Sequence, residues 1–545
     1  MPEHFHKFLA KLSRYFDRFI APSQPEVPAP LPPLPQHPPL PSLPISLPPQ
    51  HHTTPAVPST IAPPSLMPPA LARVALPFAP SPPPQHALEM FRNAHHLVFY
   101  NPRFNESSPT GSGLKDLFNY SMPDAFYNSS ARYPPPKCHL GTRMDYIALV
   151  TNWALEGSNR EESILWMRGP FGVGKSAVAQ SCAEALAPIN KLAATLFFSR
   201  SNADRDDPRR VFTSIAYQIA TKCPSFREII DKRMIEDPAL ATMSLSTQFE
   251  DLLVHPLRGV NIARSSLDGR VVIIDGLDEC RGTAEQCEII RVIAASVHRR
   301  TTPFRWFITS RPENSIIRAM NSVVISPVIS RIELPVSRAI DHEILLYLTD
   351  EFIKIRDDHS LPELWPSDGA LALLVERGAG LWIYVVTMIR FIKDENSLGP
   401  EHQLRIVLEF AKEVSAKVRA NNPLAEMDFF YMLIMQQVPP KIRTTVRRIL
   451  LMISLSVLGM DAIADALSLS IEQFRRTCAS IQSVMAVDIS IRFYHTSFLD
   501  FMRDPRRSKE LCIMGDFLIE WRQELLRWLH EVCSLSTGTV FPLPV

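Results

Sequence analysis

The chain has 545 residues, which suggests about two to four domains, and 46% of its side chains are hydrophobic, enough for buried cores. Lysine and arginine number 57 against 56 aspartate and glutamate residues, a formal net charge of +1. This balance gives no electrostatic reason to expect a nucleic-acid partner. The eight cysteines are scattered without a C-x-x-C pair, so we expect reduced thiols rather than zinc ligands or disulfides.

The N-terminal part combines an amphipathic segment with a proline-rich one. Residues 1–21 place Phe8, Leu12 and Phe19 at helical spacing, with basic side chains elsewhere on the wheel, which predicts a helix. Three interpretations stay open: a membrane-surface anchor, a partner-docking helix, or a helix packed on the folded body. Residues 22–86 hold about half of the 50 prolines, which predicts a disordered linker. This linker is either a spacer or a ligand for an SH3- or WW-like groove.

Neither a secretory signal nor a membrane span is predicted. The N-terminus lacks a continuous apolar stretch and a cleavage site. The longest apolar run, residues 449–460, is too short to cross a bilayer. We therefore expect a soluble cytoplasmic protein.

Globular sequence resumes near residue 87. Between 143 and 349, short β-branched runs alternate with amphipathic helices, which predicts an α/β fold: a parallel sheet with helices on both faces. From residue 350 onward the pattern is almost wholly helical. The candidate strands are 164–167, 192–199, 271–274, 304–309 and 323–334.

The most informative motif, residues 169–176, matches the phosphate-binding loop pattern G-x-x-x-x-G-K-[ST] in full. Glycines let successive N–H groups point at a polyphosphate, which also meets the positive end of the following helix. Lys175 is expected to reach the β- and γ-phosphates, and the Ser176 hydroxyl to bind Mg²⁺. The predicted nucleotide-binding residues here are Gly169, Pro170, Phe171, Gly172, Val173, Gly174, Lys175, Ser176 and Ala177.

Acidic residues follow the predicted strand at 271–274. The first, Asp275, is expected to bind Mg²⁺, because in phosphate-loop NTPases the first carboxylate after such a strand lies beside the loop. Asp278 and Glu279 lie just past the strand end, where open α/β sheets bind ligands. One of them would orient or deprotonate the attacking water, and Glu279 is preferred.

An arginine follows the predicted strand at 304–309. Arg311, with Ser310 before it, is placed to sense or neutralise the γ-phosphate. The alternative is an arginine that pairs with a structural carboxylate.

Together these strand ends resemble the NACHT branch of the STAND class of signal-transducing P-loop NTPases, in the form abundant in mushroom-forming fungi. The resemblance spans about residues 91–508. Its flanking segments are 91–95, 132–143, 380–384, 390–392, 495–501 and 504–508.

The resemblance implies a switch in innate-immune or incompatibility-like signalling. Such a switch is compact with ADP at rest, opens on exchange for ATP or GTP with Mg²⁺, hydrolyses slowly and forms homo-oligomers. By residue, it implies that Lys175 and Ser176 hold phosphates and Mg²⁺, Asp275 binds Mg²⁺, Glu279 or Asp278 supports hydrolysis, and Arg311 is the sensor. His495 is a candidate for contact with the β-phosphate of ADP, although a core or surface histidine is an equal alternative.

The implied organisation has seven parts. In order they are an N-terminal helix (1–21), the proline-rich linker (22–86), a segment before the NACHT module (87–142), the NACHT domain (143–349), a helical lid (350–440), a winged-helix-like, all-α part (441–508) and a helical tail (509–545).

Two departures separate the chain from this family pattern. We find no internal period of the length of ankyrin or β-propeller repeats, and the proline linker with its short helix stands where an effector domain is usual. The resemblance is thus to an NLR-like protein that lacks C-terminal repeats. Two other functions stay open. One is an adaptor that acts through residues 1–86 and carries an inherited NTPase scaffold; the other is a metabolic ATPase or kinase, for which no further catalytic motif is found.

Overall fold

The computed structural model describes residues 113–156, 162–322, 325–417, 423–455, 459–487 and 491–524. The predicted N-terminal helix and proline-rich linker lie outside the described residues, as do residues 87–112 of the segment before the α/β region and residues 525–545.

Five parallel strands form the centre of the fold. They are β1 (Ile164–Arg168), β2 (Leu192–Phe197), β3 (Val271–Asp275), β4 (Arg305–Ser310) and β5 (Ile329–Glu333). Their order across the sheet is β2-β3-β4-β1-β5, so β4 lies between the strand before the phosphate loop and the strand that ends in Asp275. Phe197 pairs with Asp275 and Arg168 with Ser310, which brings the predicted site residues to one edge of the sheet.

The strands agree with the apolar runs of the sequence. β2, β3 and β4 are buried along their whole length, as expected for strands of a parallel sheet that is covered on both faces. The candidate strand at 323–334 is shorter than expected, because a 3₁₀ turn at Ser326–Val328 precedes β5 and its Pro327 has no N–H to donate to a ladder.

The helices are numbered in chain order. They are α1 (Gly113–Asn119), α2 (Met144–Leu155), α3 (Lys175–Leu186), α4 (Val211–Lys222), α5 (Pro224–Glu236), α6 (Leu245–Phe249), α7 (His255–Arg258), α8 (Ile262–Ser265), α9 (Thr283–Arg299), α10 (Asn314–Met320), α11 (Asp341–His359), α12 (Asp368–Gly378), α13 (Trp382–Ile392), α14 (Pro400–Lys417), α15 (Pro423–Gln437), α16 (Pro440–Leu455), α17 (Met460–Ala466), α18 (Ile471–Ala479), α19 (Ser497–Arg503) and α20 (Pro505–Ser508).

Helices cover both faces of the sheet. On one face, Trp166 and Ile274 share a core with Phe212 of α4 and Ile289 of α9. On the other face, α3 packs against β2, β3 and β4. The predicted fold class, a parallel α/β sheet with helices on both faces followed by a helical region, is therefore confirmed.

The helical region begins earlier than expected and is not purely helical. The boundary expected between residues 349 and 350 falls inside α11, one continuous helix. A short antiparallel ribbon of β6 (Met485–Val487) and β7 (Ile491–Phe493) precedes α19. None of the described helices has the length and apolar character needed to cross a membrane.

Candidate functional site

The phosphate loop joins β1 to α3, and two of its glycines have backbone angles that other residues rarely adopt. Gly172 and Gly174 have φ values of +75° and +98°. A Cβ atom on Gly172 would lie 2.1 Å from Cγ2 of Ile383. No side chain caps α3 at Gly174, so the N–H groups that a helix leaves without intrahelical partners fall at this loop. The loop therefore fits an anion at the start of α3.

Lys175 is bonded to the loop that precedes it. Its Nζ donates to the carbonyl oxygens of Gly169 and Pro170, at 2.8 and 2.7 Å. Burial lowers the pKa of Lys175 to about 8, and the nearby Asp278 carboxylate acts in the opposite direction. A buried ammonium is costly unless an anion lies beside it, so this lysine favours a negatively charged ligand.

Asp275, at the end of β3, contacts two hydroxyl groups. The Oγ1 atom of Thr309 donates to its Oδ1 at 2.6 Å, and the Ser176 hydroxyl is a second donor. Burial raises the pKa of this carboxyl, and the two hydrogen bonds act in the opposite direction. A serine hydroxyl beside a carboxylate is the oxygen donor set that Mg²⁺ takes alongside phosphates. Ser176 and Asp275 therefore fit the predicted ion.

The strand alternation of β4 decides which of its polar residues faces this site. Thr309 faces Asp275, whereas Ser310 lies on the opposite side and accepts a hydrogen bond from Nε1 of Trp166 at 2.9 Å. Consecutive strand residues point to opposite faces, so only one of the two can reach the acid. The expectation that Ser310 contributes to phosphate sensing is therefore replaced by Thr309.

Asp278 and Glu279 occupy a 3₁₀ turn after β3, and their partners differ. Asp278 accepts from the backbone N–H of Arg311 at 2.9 Å and from Nη2 of Arg200 at 3.1 Å. Glu279 accepts from the Thr496 hydroxyl at 3.1 Å and from the backbone N–H of Arg200 at 3.2 Å. Burial and the Asp278 carboxylate raise the pKa of Glu279. A raised pKa suits a carboxylate that accepts a proton.

Arg311 connects the sheet to the helical region. Its Nη1 lies 2.9 Å from Oδ2 of Asp500 in α19, and its Nη2 donates to the Thr496 hydroxyl at 3.1 Å. Its Nε lies 3.3 Å from Oδ2 of Asp278. Burial alone would lower the pKa of Arg311, but the Asp500 and Asp278 carboxylates raise it. The arginine beside the phosphate loop is thus also paired with carboxylates.

His495 follows β7 and lines the same cavity as the phosphate loop. Its Nδ1 accepts the backbone N–H of Ser497 at 3.1 Å, which leaves the ring proton on Nε2. Burial, and then the charges of Arg311 and Lys175, lower the pKa of His495 to about 3. The neutral ring is therefore a hydrogen-bond donor through Nε2–H rather than a cation.

These side chains line one cavity of about 610 Å³. The predicted site residues that line it are Phe171, Gly172, Gly174, Lys175, Ser176, Ala177, Asp275, Asp278, Glu279, Arg311 and His495. The other three belong to the loop but not to the wall. Gly169 and Pro170 supply carbonyl oxygens to Lys175, and Val173 is fully buried with its carbonyl oxygen bonded to Nη2 of Arg143 at 3.0 Å.

The helical region and the segment before α2 supply the wall that sequence reasoning did not assign. The backbone N–H of Ile383, at the start of α13, donates to the Gly172 carbonyl oxygen at 3.0 Å. The unassigned lining residues include Arg132, Arg143, Arg205, Tyr347, Trp382, Arg390 and Arg492. Several lie in the segments 132–143, 380–384 and 390–392, which carry the family resemblance. The family resemblance of these segments was the sequence feature from which their place at the site could have been predicted.

Comparisons with known proteins agree with this geometry. A family model described as Nephrocystin 3, N-terminal, matches residues 148–311, which include the phosphate loop, Asp275 and Arg311. No curated protein matches the chain.

Solved structures give only remote similarity. The Aeropyrum pernix ORC2 protein (ADPNP–ADP complexes) is 13% identical, with a TM-score of 0.34 over 72% of this chain and 95% of that one. AMPPCP-bound DnaA from Aquifex aeolicus is 13% identical, with a TM-score of 0.30 over 74% and 97%. Thermotoga maritima RuvB is 12% identical, with a TM-score of 0.27 over 65% and 93%. Similarity at this level carries no functional conclusion. The loop, the sheet and the family match together identify the α/β region as a P-loop NTPase fold with a nucleotide-binding site.

Proposed function

We propose that this chain is a NACHT-type nucleotide switch, in which the bound nucleotide decides whether the helical region stays closed on the α/β sheet. ADP is the resting ligand, and ATP or GTP with Mg²⁺ is the activating one. Hydrolysis is slow and resets the switch. The output of the protein is a change of conformation rather than a metabolite.

One observation carries the proposal. Arg311 and Glu279, which face the phosphate loop across the cavity, also hydrogen-bond Thr496, and Arg311 pairs with Asp500 of α19. A phosphate that attracts Arg311, or an attacking water that donates to Glu279, competes with these contacts. Binding at the loop is thereby coupled to the position of α19, which is what a two-state switch requires.

The residues have separate roles in this mechanism. Lys175 and the N–H groups of the loop hold the phosphates, and Ser176 and Asp275 hold Mg²⁺, which when bound supplies charge neutralisation to the phosphate oxygens. Glu279 accepts the proton of the attacking water, because Asp278 is ion-paired with Arg200 and Arg311, whereas burial and the Asp278 carboxylate raise the pKa of Glu279. Hydrolysis is slow because Glu279 is held by the Thr496 hydroxyl in the closed form.

We extend the proposal to the setting of the switch. Opening exposes surfaces for homo-oligomer formation, and the role is in cytoplasmic signalling of an innate-immune or incompatibility-like kind. A nucleic-acid partner is not part of the proposal, because the chain has a net charge of only +1.

The test is the nucleotide content of purified protein. We expect wild type to release ADP on denaturation, Lys175→Ala to release none, and ATP to shift only wild type to a larger species on sizing. Lys232→Ala is the matched control, since that lysine is 78% exposed and pairs only with Glu236 of its own helix among the described residues. A wild type without nucleotide, or one that binds ADP and ATP equally with no change in size, would contradict the switch.

A further inference from the structure

Two arginines that line the cavity meet at the last residue of β2. The guanidinium carbon of Arg132 lies 3.6 Å from the ring centroid of Phe197. Arg205 donates from Nε and Nη2 to the Phe197 carbonyl oxygen, at 3.1 and 2.9 Å. Arg132 is also fixed by hydrogen bonds from Nη1 to the Tyr127 carbonyl oxygen and to Oε1 of Gln180, both 2.9 Å. The backbone and Gln180 thus hold both guanidinium groups in place.

Neither of these arginines is ion-paired with a carboxylate in the described part of the chain, unlike Arg200 and Arg311, which pair with Asp278. Burial, and then the charge of Arg205, lower the pKa of Arg132 to about 9. Burial also lowers the pKa of Arg205. Carboxylates farther away, such as Asp275 for both arginines and Glu279 for Arg205, offset the cost of burying these two charges only in part. An anion placed directly against the two guanidinium groups would offset more of it.

The strand order indicates which part of a ligand would meet them. At the carboxyl edge of the sheet, the end of β2 lies beside Asp275. Next come Thr309 of β4 and Arg311 just after this strand, and then the phosphate loop after β1. A polyphosphate that starts at the loop and extends past the Mg²⁺ acid therefore points its far end toward the end of β2. Arg311 is already engaged by Asp500 in this conformation.

We propose that Arg132 and Arg205 bind the terminal phosphate of a nucleoside triphosphate and so allow the closed form to distinguish a triphosphate from a diphosphate. The proposal rests on the proposed function only in taking the ligand of the loop to be a nucleotide. Residues after β2 and in the segment before α2 would then distinguish the triphosphate from the diphosphate, and no residue of another subunit is needed.

The experiment is a competition assay in which a fluorescent diphosphate is displaced by ADP or by AMP-PNP, or by GDP or GMP-PNP if wild type carries guanine nucleotide. In Arg205→Met we expect AMP-PNP to bind roughly 10- to 100-fold more weakly, the usual loss for one charged hydrogen-bonding group, with the affinity for ADP nearly unchanged. Arg205→Lys, which keeps the charge, should lose less. Arg209→Met is the control, because that arginine lies in the same loop and is 76% exposed.

Equal loss for both nucleotides, or no loss for either, would overturn the assignment while leaving the switch intact. Thermal denaturation of each variant checks the fold. If Arg205→Met does not fold, Arg205→Gln, which is polar but uncharged, decides by the same comparison, since a selective loss of AMP-PNP supports the pair and unchanged selectivity refutes it. Wild type that binds neither nucleotide would instead remove the proposed function and this inference together.

Discussion

His495 is neutral because of what surrounds it. The ring lies in a cavity with Lys175 and Arg311, and a positive imidazolium there would face like charges in a poorly hydrated space. The Nδ1 atom accepts from Ser497, so the Nε2–H group is the donor available to a ligand. The surrounding cations therefore make this histidine an uncharged donor at physiological pH.

We predict that His495 makes the fold sensitive to acid. Its pKa in the folded protein, about 3, lies below the ordinary value of about 6.5, so the folded state resists protonation. The stability it contributes is complete above pH 6.5 and is lost as pH falls toward 3, by up to about 1.4 kcal/mol per pH unit. Chemical denaturation at pH 7.5 and 5.5 should show a larger loss for wild type than for His495→Gln. The exposed His342→Gln should behave like wild type; parallel losses in all three proteins would contradict the prediction.

At the scale of elements, a small cluster of hydrogen-bonded and ion-paired side chains holds α19 to the sheet. Arg311 and Asp500 are 16% and 20% exposed, so their ion pair is only partly screened by water. Asp500 also lies 3.6 Å from Nη1 of Arg200, and the Thr496 hydroxyl links Arg311 to Glu279. Loss of one partner would leave a half-buried arginine beside the phosphate loop.

We predict that Asp500→Ala speeds nucleotide exchange, because it releases Arg311 and loosens α19. A double-mutant cycle with Arg311→Ala should give a coupling energy of about 1–3 kcal/mol for unfolding, as contacting charged residues usually do. Exchange is followed by the release of a fluorescent diphosphate. Asp461→Ala, at an exposed aspartate of α17, is the control and should leave the exchange rate unchanged. If the two substitutions change the free energy of unfolding additively, the Arg311–Asp500 pair does not hold α19 to the sheet.

The same cluster shows what sequence patterns can and cannot predict. The strands β1, β3 and β4, with the loop and the acid that follow them, could be predicted because each depends on a local run of apolar residues that ends in a polar one. The contact of Arg311 with Asp500 joins residues 189 positions apart, and no local pattern carries it. Whether Thr309 or Ser310 faces Asp275 depends on the register of β4, which only the pairing of the strands determines.

For the whole molecule, the proposed switch makes hydrolysis and closure depend on one carboxylate. Glu279 is the proposed base, and it also accepts from Thr496 in the segment that leads into α19. A water molecule positioned for attack has to share or replace that contact. Hydrolysis is therefore expected to depend on the release of α19, which would keep turnover slow as long as the molecule is closed.

We predict that Glu279→Gln traps the triphosphate form. Glutamine keeps an acceptor for Thr496 but cannot take a proton, so single-turnover hydrolysis should fall at least about 100-fold while the triphosphate stays bound. On sizing, the larger assembly formed with ATP should persist after excess nucleotide is removed, whereas wild type returns to the smaller species. Glu285→Gln, at an exposed glutamate in the first turn of α9, is the control. Unchanged hydrolysis in Glu279→Gln would show that another residue is the base. If hydrolysis stops but the larger assembly does not persist, hydrolysis does not control the switch.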